Sequence, residues 1–67
     1  MVFKRIRDLR EDHDYTQTYV ANILCISQRY YSDLETGRGT LSAEHLRKLC
    51  LLYQVSADYI LELTDVK

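Results

Sequence analysis

The chain has no proline, no tryptophan and only two glycines, Gly37 and Gly39. Helix breakers are therefore confined to one short stretch. It has two cysteines, Cys25 and Cys50, too few for the disulfide framework of a small secreted domain. Both are read as reduced thiols. No apolar run approaches the roughly 18 residues of a membrane span. The opening residues Met1-Val2-Phe3-Lys4-Arg5-Ile6-Arg7-Asp8 turn charged before a signal-type apolar segment can form, so a cytoplasmic location is expected. An excess of one charge is missing too. Nine Lys and Arg face ten Asp and Glu, for a net charge of −1. That excludes a uniformly basic coat and leaves room for a local basic surface. With 67 residues the chain is expected to form one domain, 1–67. A core of this size leaves little room for a pocket with catalytic groups, so an enzyme is not expected. The content of 46% hydrophobic and 28% charged residues fits a folded domain rather than a disordered segment.

What is present is helical periodicity. Phe3, Ile6, Leu9, Arg10 and His13 recur at intervals of three and four, which predicts a helix ending near Asp12. Arg10 lies on the inward stripe and so needs a partner, whereas Lys4, Arg5 and Arg7 lie off it and are read as solvating the first helix. Gln17, Val20, Ala21 and Leu24 form a second stripe, with Thr16 as cap. After Cys25-Ile26, Ser27 caps a third helix, about 28–36. At about 100° per residue, Tyr31 at the core carries Leu34, Glu35 and Ser27 inward. Arg29, Ser32, Asp33 and Thr36 then face outward, with Gln28 and Tyr30 on the flanks. Gly37 stops this helix and 38–41 is a loop. Ser42 caps a fourth helix with the stripe Leu46, Leu49, Cys50 and Tyr53. Ser56 caps a fifth, with Asp58 in its first turn and Tyr59, Ile60 and Leu63 apolar. Val55 plugs the core between them. No segment alternates with period two, so the fold class is all-α, with five helices.

Two short helices joined by a tight turn, the second exposing polar residues, make a helix-turn-helix plan. The ordered set Thr16-Gln17, Ala21, Leu24-x-Ile26-Ser27 and Leu34-Glu35-x-Gly37, followed by Leu46 to Tyr53 and Val55-Ser56-x-Asp58-Tyr59-Ile60-Leu61, resembles the XRE-type DNA-binding family of phage repressor and Cro proteins. The resemblance covers about residues 3–63. It implies a phage-repressor-like domain whose third helix lies in the major groove of double-stranded DNA. It also implies that Arg10 and Glu35, both placed inward by their helical phases, form a structural ion pair. Where the family commonly carries Gly in the turn, this chain has Cys25, at which a left-handed backbone is mildly strained.

On this plan Gln28, Arg29, Ser32 and Asp33 are candidates for reading bases. Gln suits adenine, Arg guanine, and a carboxylate the cytosine amine. Arg29 and Asp33, four apart, can also pair with each other. Gln17, Ser27, Tyr30, Arg38 and Thr40 are candidates for phosphate contacts, two of them at helix starts that favour anions. A homodimer on two half-sites about 34 Å apart is expected. Tyr19 and Ile23, Leu51, and Tyr59 with Leu63 are candidates for its interface. The competing reading is a protein-interaction module, such as an antitoxin or adaptor, built on the same scaffold. Cys25, Cys50, His13 and His45 match no zinc spacing, and no cofactor or metal is expected.

Overall fold

A computed structural model describes residues 3–67 of the chain. It is all-helical among those residues, with α1 (Lys4–Asp12), α2 (Gln17–Leu24), α3 (Gln28–Thr36), α4 (Ala43–Tyr53) and α5 (Ala57–Ile60). The cap hydroxyls sit where the sequence places them. Thr16, Ser27, Ser42 and Ser56 accept from the backbone N–H groups of Tyr19, Tyr30, His45 and Tyr59 at 3.0, 3.0, 3.1 and 3.1 Å. Each satisfies one of the amide donors that a helix start leaves without an internal partner.

The helix ends share one device that glycine content alone does not reveal. After α1, α2, α3, α4 and α5, a residue in the left-handed region (Asp14, Cys25, Gly37, Gln54 and Glu62 respectively) turns the chain, and only one of these is glycine. The next residue then donates its N–H to a carbonyl five positions back: Tyr15 to Arg10, Ile26 to Ala21, Arg38 to Asp33, Val55 to Cys50, and Leu63 to Asp58. This is the Schellman pattern of hydrogen bonds. A side chain in the left-handed region costs about 1–2 kcal/mol. At three of these ends the following residue is apolar and packs into or against the core (Tyr15, Ile26 and Val55), which offsets that cost.

The core is formed by Ile6 and Leu9 of α1, Val20, Ala21 and Leu24 of α2, Tyr31 and Leu34 of α3, Leu49 and Tyr53 of α4, Val55, and Ile60 of α5. Every helix contributes its predicted inward stripe. The details that differ lie at the ends. His13 and Ser27 are exposed, because each sits at a helix boundary where the chain leaves the helical phase. Helix α5 stops at Ile60, so Leu63 falls beyond it and is 73% exposed.

Arg5 corrects the sequence reading. It does not simply solvate α1. Its guanidinium lies 4.2 Å from the Tyr59 ring centroid and donates to the Tyr59 carbonyl at 2.8 Å, to the Thr64 carbonyl and to the Asp65 carboxylate at 2.7 Å. It thereby caps the carbonyl end of α5 and ties the last residues to α1.

Candidate nucleic-acid interface

The local chemistry of three consecutive residues sets the α2–α3 corner. Cys25 turns left-handed, Ile26 drops against the core, and Ser27 starts α3. Helix α3 then runs for nine residues, about 13.5 Å. With its side chains an α-helix is about 10–12 Å across, the cross-section that a major groove about 12 Å wide admits.

Behind α3 lies a buried polar network. Arg10 Nε donates to Glu35 Oε2 at 2.7 Å, and its Nη2 to Oε1 at 3.2 Å, a two-bond carboxylate grip. A third donor, Nη1, reaches the Tyr15 carbonyl at 3.0 Å and so braces the α1–α2 turn. The Glu35 side chain is only 4% exposed. Burial disfavours its charge, but the hydrogen bonds from Arg10 and Gln17 outweigh that and hold its carboxyl below the ordinary value. Bonding to Glu35 in turn raises the Arg10 pKa against the opposing effect of burial. Burial, with the Glu35 charge nearby, pushes the Tyr31 hydroxyl far upward, so it stays protonated.

The network continues outward. Gln17 Nε2 donates to Glu35 Oε1 at 3.1 Å, and Gln28 Nε2 donates to Gln17 Oε1 at 2.6 Å. Gln17 therefore couples the first residue of α2 to the first residue of α3 through side chains, with the buried ion pair as anchor. The sequence assigned Gln17 only a phosphate role. Its position on the inward stripe of α2, facing an inward Glu35, was the available signal for the bridge.

The outward side of α3 is open. Gln28, Arg29 and Thr36 are exposed, while Ser32 and Asp33 are half-buried. Arg29 and Asp33 do not pair, although they are four apart; among the described residues neither charge has an ion-pair partner. Ser27, Arg38 and Thr40 are exposed at the two ends of the helix. Tyr30 differs from its expected role: its hydroxyl donates to the Thr40 carbonyl at 2.9 Å, so its one proton is engaged within the protein.

This arrangement, a rigid second helix presented on a first and tied to it at the start, is the helix-turn-helix class of domain. Residues 6–60 match the family profile described as "Helix-turn-helix". The chain belongs to this XRE-type helix-turn-helix family. It is similar to the "Uncharacterized HTH-type transcriptional regulator YobD" of Bacillus subtilis (strain 168). The two are 37% identical over 65 residues, which cover 97% of this chain and 58% of that protein. It is also similar to the "Antitoxin PezA" of Streptococcus pneumoniae serotype 4 (strain ATCC BAA-334 / TIGR4). Here identity is 38% over 56 residues, covering 84% of this chain and 35% of that protein. The matches thus span little more than half of one curated relative and about a third of the other. No solved structure matches significantly.

Proposed function

We propose that the chain is a sequence-specific DNA-binding transcriptional regulator that inserts α3 into the major groove. The observation that carries this reading is the outward face of α3. Among the described residues its polar side chains have no ion-pair partner, while its inward face is held by the Arg10–Glu35–Gln17 network. Gln28, Arg29, Ser32 and Asp33 read base edges. The Gln17 tether sets the direction of the Gln28 amide, so that Gln28 approaches a base with less conformational freedom to lose. Ser27, Arg38, Thr40 and the helix-start amides of Gln17 contact phosphates.

Two copies occupy two half-sites, and the dimer surface draws on exposed apolar side chains. Tyr19 is 48% exposed and Leu51 66%, and Leu63 lies free beyond α5. Tyr59 is the weaker candidate, since Arg5 covers its ring. The relative named as a transcriptional regulator supports the DNA reading. The relative named as an antitoxin, together with the net charge of −1, supports a second reading in which the domain engages a protein partner. Binding to a mixed-sequence duplex at two salt concentrations separates the two. A DNA-binding regulator loses affinity steeply as salt rises. No binding even in dilute buffer removes the first reading and leaves the second.

A further inference from the structure

The side chain of Tyr30 and the missing side chain of Gly39 are not accounted for by base or phosphate contacts. The loop 37–41 folds back along one flank of α3. The Asp33 carbonyl accepts from the N–H of Gly37, from Arg38 at 2.9 Å and from Gly39 at 3.0 Å. A Cβ on Gly39 would lie 3.3 Å from Asp33 Cβ, from Leu34 Cδ2 and from Tyr30 Cε1 at once. Such separations are tight for carbon atoms in contact. Only glycine lets the loop lie this close to the helix without displacement. One residue further on, the Tyr30 hydroxyl holds the Thr40 carbonyl at 2.9 Å. The Tyr30 ring meets His45 edge-on, with centroids 5.7 Å apart at 76°. His45 lies in the first turn of α4, where its N–H is bonded to Ser42. Tyr30 thus touches α3, the loop and the start of α4.

From this we infer that Tyr30 and Gly39 are positioning residues for DNA recognition, seating the loop that carries Arg38 against α3. Arg38 lies between two fixed points, the bonds to the Asp33 carbonyl and the bond to the Thr40 carbonyl. A charge on a pre-seated loop surrenders less freedom when it meets a phosphate than one on a free loop. The seat also keeps the phosphate-contacting loop in a constant relation to the base-reading face, so both engage one duplex together. Tyr30 acts through Arg38 and not by its own contact, because its proton is already committed.

This inference rests on the DNA-binding reading, and a double-mutant cycle tests it separately. Affinity for a mixed-sequence duplex at low salt is measured for the parent chain, Tyr30→Phe, Arg38→Ala and the double variant, with melting temperatures alongside. Tyr30→Phe keeps the ring and removes only the hydroxyl. It is expected to weaken binding about threefold to tenfold in the parent background. In the Arg38→Ala background it should have almost no effect, because the group it positions is gone. Gly39→Ala should show the same dependence on Arg38. Equal losses in both backgrounds indicate a merely structural role and overturn the proposal. An absent effect of Tyr30→Phe, or of Arg38→Ala, overturns it as well. Failure of the parent chain to bind any duplex sinks the DNA reading itself, and the positioning roles with it.

Discussion

Replacing Glu35 by alanine probes the centre of the domain. The substitution removes both bonds from Arg10 and the bond from Gln17, and strands a guanidinium whose side chain is only 15% exposed. Breaking a buried pair from one side costs about 3–5 kcal/mol. Arg10 keeps its bond to the Tyr15 carbonyl, so the lower end, about 3 kcal/mol, applies. A 67-residue domain has a total stability of about 3–10 kcal/mol. The loss is therefore a large share of the whole, and the melting temperature should fall by about 12–24 °C. Glu35→Gln, nearly the same shape without the charge, isolates the electrostatic part. The folded pKa of Glu35 lies below the ordinary 4.5. Its stabilising contribution is thus complete above about pH 4.5 and disappears as pH falls through the lower folded value. Parent stability should decline with acid in that window, and the Glu35→Gln variant should show a flatter profile there. Thermal melts monitored by circular dichroism from pH 3 to 7 read both effects. A Glu35→Ala melting temperature equal to the parent's would refute the paired-charge argument.

Other expectations follow from single side chains. Arg29→Ala should weaken binding to a selected operator by about 1–3 kcal/mol while leaving the melting temperature nearly unchanged; an unfolded variant would contradict the exposure of Arg29. Asp33→Asn should raise affinity for mixed-sequence DNA by removing a negative charge from the proposed interface, and unchanged affinity would place Asp33 away from phosphate. Arg5→Ala loses two carbonyl bonds and the contact with Tyr59, so a cost of about 2 kcal/mol and faster proteolysis near residues 61–67 are expected. Protease resistance matching the parent's would show that the tie is not needed. Cys25→Gly relieves a left-handed backbone with φ of 59° and should raise the melting temperature by a few degrees; a decrease would mean that the cysteine side chain contributes packing that outweighs the relief.

Much of the architecture can be read from short-range pattern. The stripes of α1 through α4 identify the buried face of each helix, because a helix repeats every 3.6 residues and periodicity needs only near neighbours. The serine and threonine caps are legible for the same reason, since donor and acceptor lie three residues apart. Arg10 and Glu35 stand out as charges on apolar stripes, so their meeting follows from two independent phases. The closures at Asp14, Gln54 and Glu62 are not legible in this way, because the usual marker, glycine, is absent there. The bond from Tyr30 to the Thr40 carbonyl is not legible for a related reason. A flanking phenol offers a proton to solvent or to the protein equally well, and only the path of the loop decides which.

The linear order of residues thus determines by itself where helices begin, which faces turn inward and which polar side chains remain on the outer side of α3. Tertiary structure alone decided that Arg5 grips a segment about 60 positions away, that Gln17 joins Glu35 to Gln28, and that loop 37–41 rests on α3. Those partners come together only where helices cross. The crossing is set by the packing of whole side-chain surfaces, which no local repeat encodes.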